Sequence, residues 1–307
     1  MAFWKSRRVR LWQQVLRQTF SSWYDRDAMT HGAAVAFFAL FSLAPVLILV
    51  VTIAGLAFGQ EAVRGQLVRQ FGQLMGRDQA LAVEHILRSA AMDQSGVFAR
   101  VVGVIAFAIG TTSVFVQLQS SLNLMWDVTP KPGPLIRTLL LKRLTSFALV
   151  IAIGFLLLVS LALSAAISGL QEYLQPRMDI PAPALGVANL LLSLAVFTVL
   201  FAMIFRILPD VEIPWRDVWF GAFMTSALLS IGKWAIGLYL GRTAVASTYG
   251  AAASVIIIVF WVYYTSLLVL LGAIFTRVYS RQFLGSHRTA SEGATRVHCV
   301  REELPER

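Results

Sequence analysis

Histidines, close carboxylates or a reactive thiol would be the simplest sources of chemistry in this chain, and their placement sets the first limits. His31, His85, His287 and His298 are scattered, with no HxH or HExxH spacing to bring two imidazoles to one metal. Cys299 stands alone and excludes both a disulfide framework and a cysteine-based zinc cluster. Asp210, Glu212 and Asp217 make a close acidic group between two apolar runs, and they read most simply as a solvated turn. Neither a metal, a cofactor nor a catalytic residue is expected. A nuclease in particular lacks the acid–base or metal site it needs.

The informative polar residues instead sit inside long apolar runs. Lys233 is the one charge within such a run. Ala222, Ser226, Ser230, Lys233, Gly237 and Gly241 step by three or four, so they share one helix face. A stripe of small and polar residues suits contact with other helices better than contact with lipid. It aims Lys233 into a bundle as a candidate for a solute or ion path, the alternative being a lysine that snorkels to the surface. A second run carries Ser113 and Gln117 on one face with Asn123 at its end; these residues can bridge helices or line a polar path. Trp261 and Tyr264 lie deep in the last run and complete the path candidates. Gly237 and Gly241 form a GxxxG pair, and Gly250 and Gly272 flank the last run as packing positions. Pro45 removes a backbone donor in mid-helix and displaces the Phe41 carbonyl, for which Ser42 is the local candidate partner. The pair reads as a hinge or helix break, or as a static kink.

Membrane-spanning helices are the elements that must position these residues. Of 307 residues 57% are hydrophobic and 14% charged, against about 25% charged in soluble domains. Charge-free stretches separate Asp27 from Glu61, Arg100 from Asp127, Arg143 from Glu172, Asp179 from Arg206 and Arg242 from Arg277; between Asp217 and Arg242 only Lys233 intervenes. About 20 apolar residues cross the hydrocarbon core, so six spans are expected near 34–58, 98–119, 144–168, 184–205, 218–240 and 250–276. The fold class is all-α, a polytopic bundle of six transmembrane helices.

The net charge of +10 would suggest nucleic acid in a soluble chain, but its distribution gives another reason. Segments 1–33, 118–143, 206–217 and the tail from 277 hold 18 of the 26 lysines and arginines. Basic residues gather on the cytoplasmic side of membranes, which places both termini there and removes the need for a nucleic-acid partner. Residues 1–33 form an arm whose first 24 residues mix arginine with aromatics and lack acids, as a helix on an anionic leaflet would. A short solvated arm is its alternative. Residues 34–277 are the transmembrane domain, with an outer loop at 59–97 predicted as two amphipathic helices broken near Gly76. Residues 278–307 are a polar tail expected to be disordered.

Two stretches carry a resemblance. AAVAFFALFSLAPVLILV in the first run and YGAAASVIIIVFWVYYTSLLVLLGAIF in the last resemble signatures of the YihY/BrkB family of bacterial inner-membrane proteins, once labelled ribonuclease BN and also virulence factor. The likeness runs over roughly residues 15–283. It departs at Ile274, where the last block usually carries an acid. The resemblance implies a six-helix inner-membrane protein whose activity is poorly defined. The function expected is movement of a small or amphiphilic solute across the envelope, with a non-transporting scaffold that binds lipid or a protein as the alternative. Membrane lipids and an unknown small solute are the expected partners, and a homo-oligomer stays open.

Overall fold

A computed structural model describes residues 2–76, 80–85, 88, 113–130, 156, 182–242, 251–283 and 294–296. The described chain is almost wholly helical: α1 (Ala2–Asp25), α2 (Ala28–Phe58), α3 (Gln60–Met75), α4 (residues 113–125), α5 (Ala182–Ile207), α6 (Trp215–Arg242) and α7 (Ala251–Phe283). Leu190–Ile207 and Val255–Phe283 are long and apolar enough to cross a membrane. A third candidate is the pair formed by α1 and the first half of α2, which bends by 66° at Arg26–Asp27. The spans expected near 144–168 and over most of 98–119 lie outside the described residues, as does Gly250.

Helix α7 organises the bundle, packing against α1, α2 and α6, while α5 packs along α6. Between helices in lipid, close packing replaces the hydrophobic effect as the cohesive force, and small residues permit it. Here α6 and α7 carry the same device in reverse order. Gly221 lies against Thr276 and Gly272 lies against Thr225. Each threonine hydroxyl donates to the glycine carbonyl one turn back on its own helix, Thr225 to Gly221 at 2.8 Å and Thr276 to Gly272 at 2.6 Å. The hydroxyls are thereby satisfied inside the apolar contact, and a Cβ at Gly221 would fall 1.7 Å from the Thr276 Oγ1. Phe205, fully buried on α5, closes over Gly272 from the third side.

Several expectations are revised. Helix α2 runs without interruption through Pro45, so no helix break is present there. The Ser42 hydroxyl donates to the carbonyls of Phe38 at 2.9 Å and Ala39 at 3.2 Å, not to that of Phe41. The sharp change of direction lies earlier, where Asp27 takes a left-handed conformation with φ of 46°. Residues 278–283, expected in the tail, continue α7. Ala294–Arg296 forms a short strand β2 pairing antiparallel with β1 (Val128–Pro130), so this part of the tail is ordered and the fold is not purely α. The loop expected at 59–97 follows its periodicity over its described residues: α3 ends at Met75, Gly76 takes φ of 103°, and residues 80–85 are helical.

Candidate functional site

The described polar side chains gather most densely at one end of the bundle. Asp127 terminates α4 with φ of 57°, a left-handed conformation that Asp and Asn adopt more readily than other non-glycine residues. Its Oδ1 accepts from Arg26 Nε at 3.0 Å and Nη2 at 2.7 Å, and its Oδ2 accepts from the same Nη2 at 3.0 Å, a side-on contact across 101 residues of sequence. Arg277, 3% exposed on α7, donates to Oδ2 and reaches the Ser22 hydroxyl at 3.2 Å. Arg281 stands at 3.7 Å from the same carboxylate, a charge neighbour and not a hydrogen bond.

One turn earlier on α4, Asn123 makes a two-way contact with Asp210, donating to its carboxylate at 2.8 Å and accepting from its backbone N–H at 2.8 Å. Gln119 donates to the second Asp210 oxygen at 3.1 Å. Asp217, buried in the first turn of α6 where the helix dipole favours a negative charge, accepts from the Ser280 hydroxyl. Asp210 and Asp217 are therefore structural acceptors and not a solvated turn; of the three acids only Glu212 is exposed. These bonds link the arm, the end of α4, the α5–α6 connection and the end of α7. They are the same four segments whose excess of basic residues assigned them to one side of the membrane.

The path candidates are distributed through the rest of the bundle. Ser226 is buried and donates across to the Leu194 carbonyl of α5 at 3.0 Å, and Ser230 donates back to Ser226 at 3.0 Å. Tyr264 lies against Gly232 and donates to the Leu228 carbonyl at 3.0 Å, joining α7 to α6. Trp261 is buried, its ring centroid 5.8 Å from that of Tyr264. Gln117 donates to Ser121 at 3.4 Å, and Ser113 is half-buried at the start of α4. Ser226 and Tyr264 are thus interhelical bridges, and Asn123 ties α4 to the α5–α6 connection. Lys233 is half-buried beyond Gly232, between exposed Ile231 and Trp234. It lies about 24 Å along α6 from Asp217, so the bundle does not bring it to the Asp127 cluster. Gly237 and Gly241 close α6.

Sequence reasoning missed Asp127, Arg26 and Arg277, because the two arginines were absorbed into the count of topology charges. It also missed Gly32, Gly221 and Gly232, each of which touches a side chain of α7. The repeated Gly-x3-Thr spacing of 221–225 and 272–276 carried that signal.

The profile of the family described as Virulence factor BrkB matches residues 19–296. This chain belongs to the BrkB family. Curated relatives carry the name UPF0761 membrane protein. The one from Alkalilimnicola ehrlichii is 25% identical over 88% of this chain and 59% of its own length. The one from Pseudomonas aeruginosa is 26% identical over 90% of this chain and 66% of its own. A third, from Chromobacterium violaceum, is 38% identical over 29% of this chain and 21% of its own. The chain spans about three fifths to two thirds of the length of the relatives that it matches over most of its own residues. No solved structure matches. The resemblance read from the first and last apolar runs is thus borne out. At its point of departure the BrkB-family chain places Ile274 fully buried in the contact between helices, where an acid would need a partner.

Proposed function

We propose that this BrkB-family protein is a six-span inner-membrane protein with both termini in the cytoplasm, and that it moves a small or amphiphilic solute without enzymatic chemistry. The observation that carries the reading is the Asp127–Asp210–Asp217 network. It ties four separate segments together at one end of the bundle. Such a network acts as a closure on the cytoplasmic side, while Lys233 supplies a charge deeper in the membrane for an anionic solute or a proton. Elements that alternate between two arrangements need a contact of this kind, strong when made and replaceable when broken.

The test is thermal unfolding of the purified protein in detergent against a panel of ions, metabolites and lipids, for wild type and Lys233→Ala. A ligand of the folded state raises the apparent midpoint. A small-solute shift that disappears in the variant supports transport. A scaffold reading is favoured by a different observation, the exposed apolar residues of α1. Under it, substitution of Arg7, Arg8 and Arg10 damages function in the cell more than Lys233→Ala does.

A further inference from the structure

Helix α1 presents three adjoining rows to three different surroundings. Val15, Thr19 and Trp23 are buried against the bundle. The next row, one position on and about 100° round the helix, is Leu16, Phe20 and Tyr24, all exposed, with Phe20 at 57%. The row beyond it is Arg17, Ser21 and Asp25, exposed and polar. A helix lying between protein and water has use for only two of these rows. Three belong to a helix with protein on one side, water on another, and an apolar phase on the third.

The pose of α1 is fixed. Trp12 sits 6.0 and 5.4 Å from the rings of Tyr279 and Phe283. Gln282 donates to Gln18 at 2.8 Å, and Arg277 reaches Ser22. The 66° bend at Arg26–Asp27 then sets α1 nearer to the membrane plane than to its normal when α2 crosses the bilayer. Charge completes the argument: Lys5, Arg7, Arg8, Arg10 and Arg17 precede the first acid, Asp25. We propose that α1 is an anionic-lipid-binding surface, held in the plane of the cytoplasmic leaflet with Leu16, Phe20 and Tyr24 in the acyl region and the basic residues among the headgroups. The proposal holds for a transporter and a scaffold alike, so failure of the transport reading leaves it standing.

In the Cys299→Ser background, an environment-sensitive dye is attached to Leu16→Cys, Phe20→Cys or, as the water-facing control, Ser21→Cys. The full-length protein is reconstituted in phosphatidylcholine vesicles with and without phosphatidylglycerol. Dyes at 16 and 20 are expected to emit to the blue of the dye at 21 and to be several-fold less quenched by aqueous iodide. Their protection should increase with phosphatidylglycerol and weaken at about 1 M salt, where screening shortens to about 3 Å. Equal quenching at 16, 20 and 21 overturns the proposal. So does protection indifferent to both phosphatidylglycerol and salt, which marks apolar insertion without anion recognition. Energy transfer between labelled copies at position 20 that persists in detergent gives the row to a second copy and overturns it too. Two probe sites on the row keep the test decisive if one substitution disturbs folding.

Discussion

Asp127→Asn is the most instructive single change, because it removes a charge while keeping shape. Asn tolerates the left-handed φ of 57° about as well as Asp, so the backbone term nearly cancels. The loss is the carboxylate that accepts from Arg26 and from Arg277. Arg277 is 3% exposed and keeps only Ser22 among the bonds described above, while Asp127 is 25% exposed. Removing one partner of a buried ion pair costs about 3–5 kcal/mol, and the partial exposure of Asp127 argues for the lower end. With roughly 2 °C of midpoint per kcal/mol for a chain of this size, a fall of roughly 6 °C is expected in a detergent melt at low salt. The control is Glu61→Gln, whose partner Arg64 sits across a surface contact with Glu61 88% exposed; exposed pairs contribute about 0–1 kcal/mol. Adding Arg277→Met to Asp127→Asn should recover part of the loss, because the buried guanidinium that lost its carboxylate is then gone. A midpoint for Asp127→Asn indistinguishable from that of Glu61→Gln would refute the reasoning.

Other expectations follow from the helix contacts. Gly221→Ala drives a methyl into Thr276 and should cost about 1–3 kcal/mol as overpacking; pairing it with Thr276→Ala, which removes the Oγ1 that the methyl meets, should restore part of the melt. Asn123→Ala removes both its contacts with Asp210 and should cost about 2 kcal/mol, read as a lower midpoint. Ser226→Ala loses one bond to the Leu194 carbonyl and should cost only about 0.6 kcal/mol, so a larger fall would point to a role beyond bridging. Lys233→Ala should leave the midpoint of the ligand-free protein close to wild type, since no ion pair of Lys233 joins the helices among the described residues.

What could be read from sequence follows the range of the forces involved. Apolar runs and turn glycines act locally, so the helices, the break at Gly76 and the packing role of Gly272 were legible. The sided distribution of arginine and lysine marked four segments whose described parts meet at one end of the bundle. Arg26 and Arg277 meet Asp127 across 101 and 150 residues, and no local pattern encodes such a pairing. Asp210 lies within the short connection between Pro209 and Pro214 and Asp217 just after it, a stretch that looks solvated in one dimension; only the approach of α4 and α7 buries Asp217 and satisfies both. Pro45 read as a hinge, a break or a static kink, because a proline in isolation removes a helical bond. In place, α2 stays helical through it, and the turn falls at Asp27, next in sequence to the Arg26–Asp127 bond.

The transport reading is tested most directly by flux. The purified protein is sealed into liposomes, and entry of the solute that most stabilises it is followed over time for wild type and Lys233→Ala. Wild-type vesicles should fill faster than protein-free ones, and Lys233→Ala should slow entry at least about tenfold, about 1.4 kcal/mol, without lowering its melt. Wild-type vesicles no faster than empty liposomes, for every stabilising solute, would contradict transport and leave the scaffold.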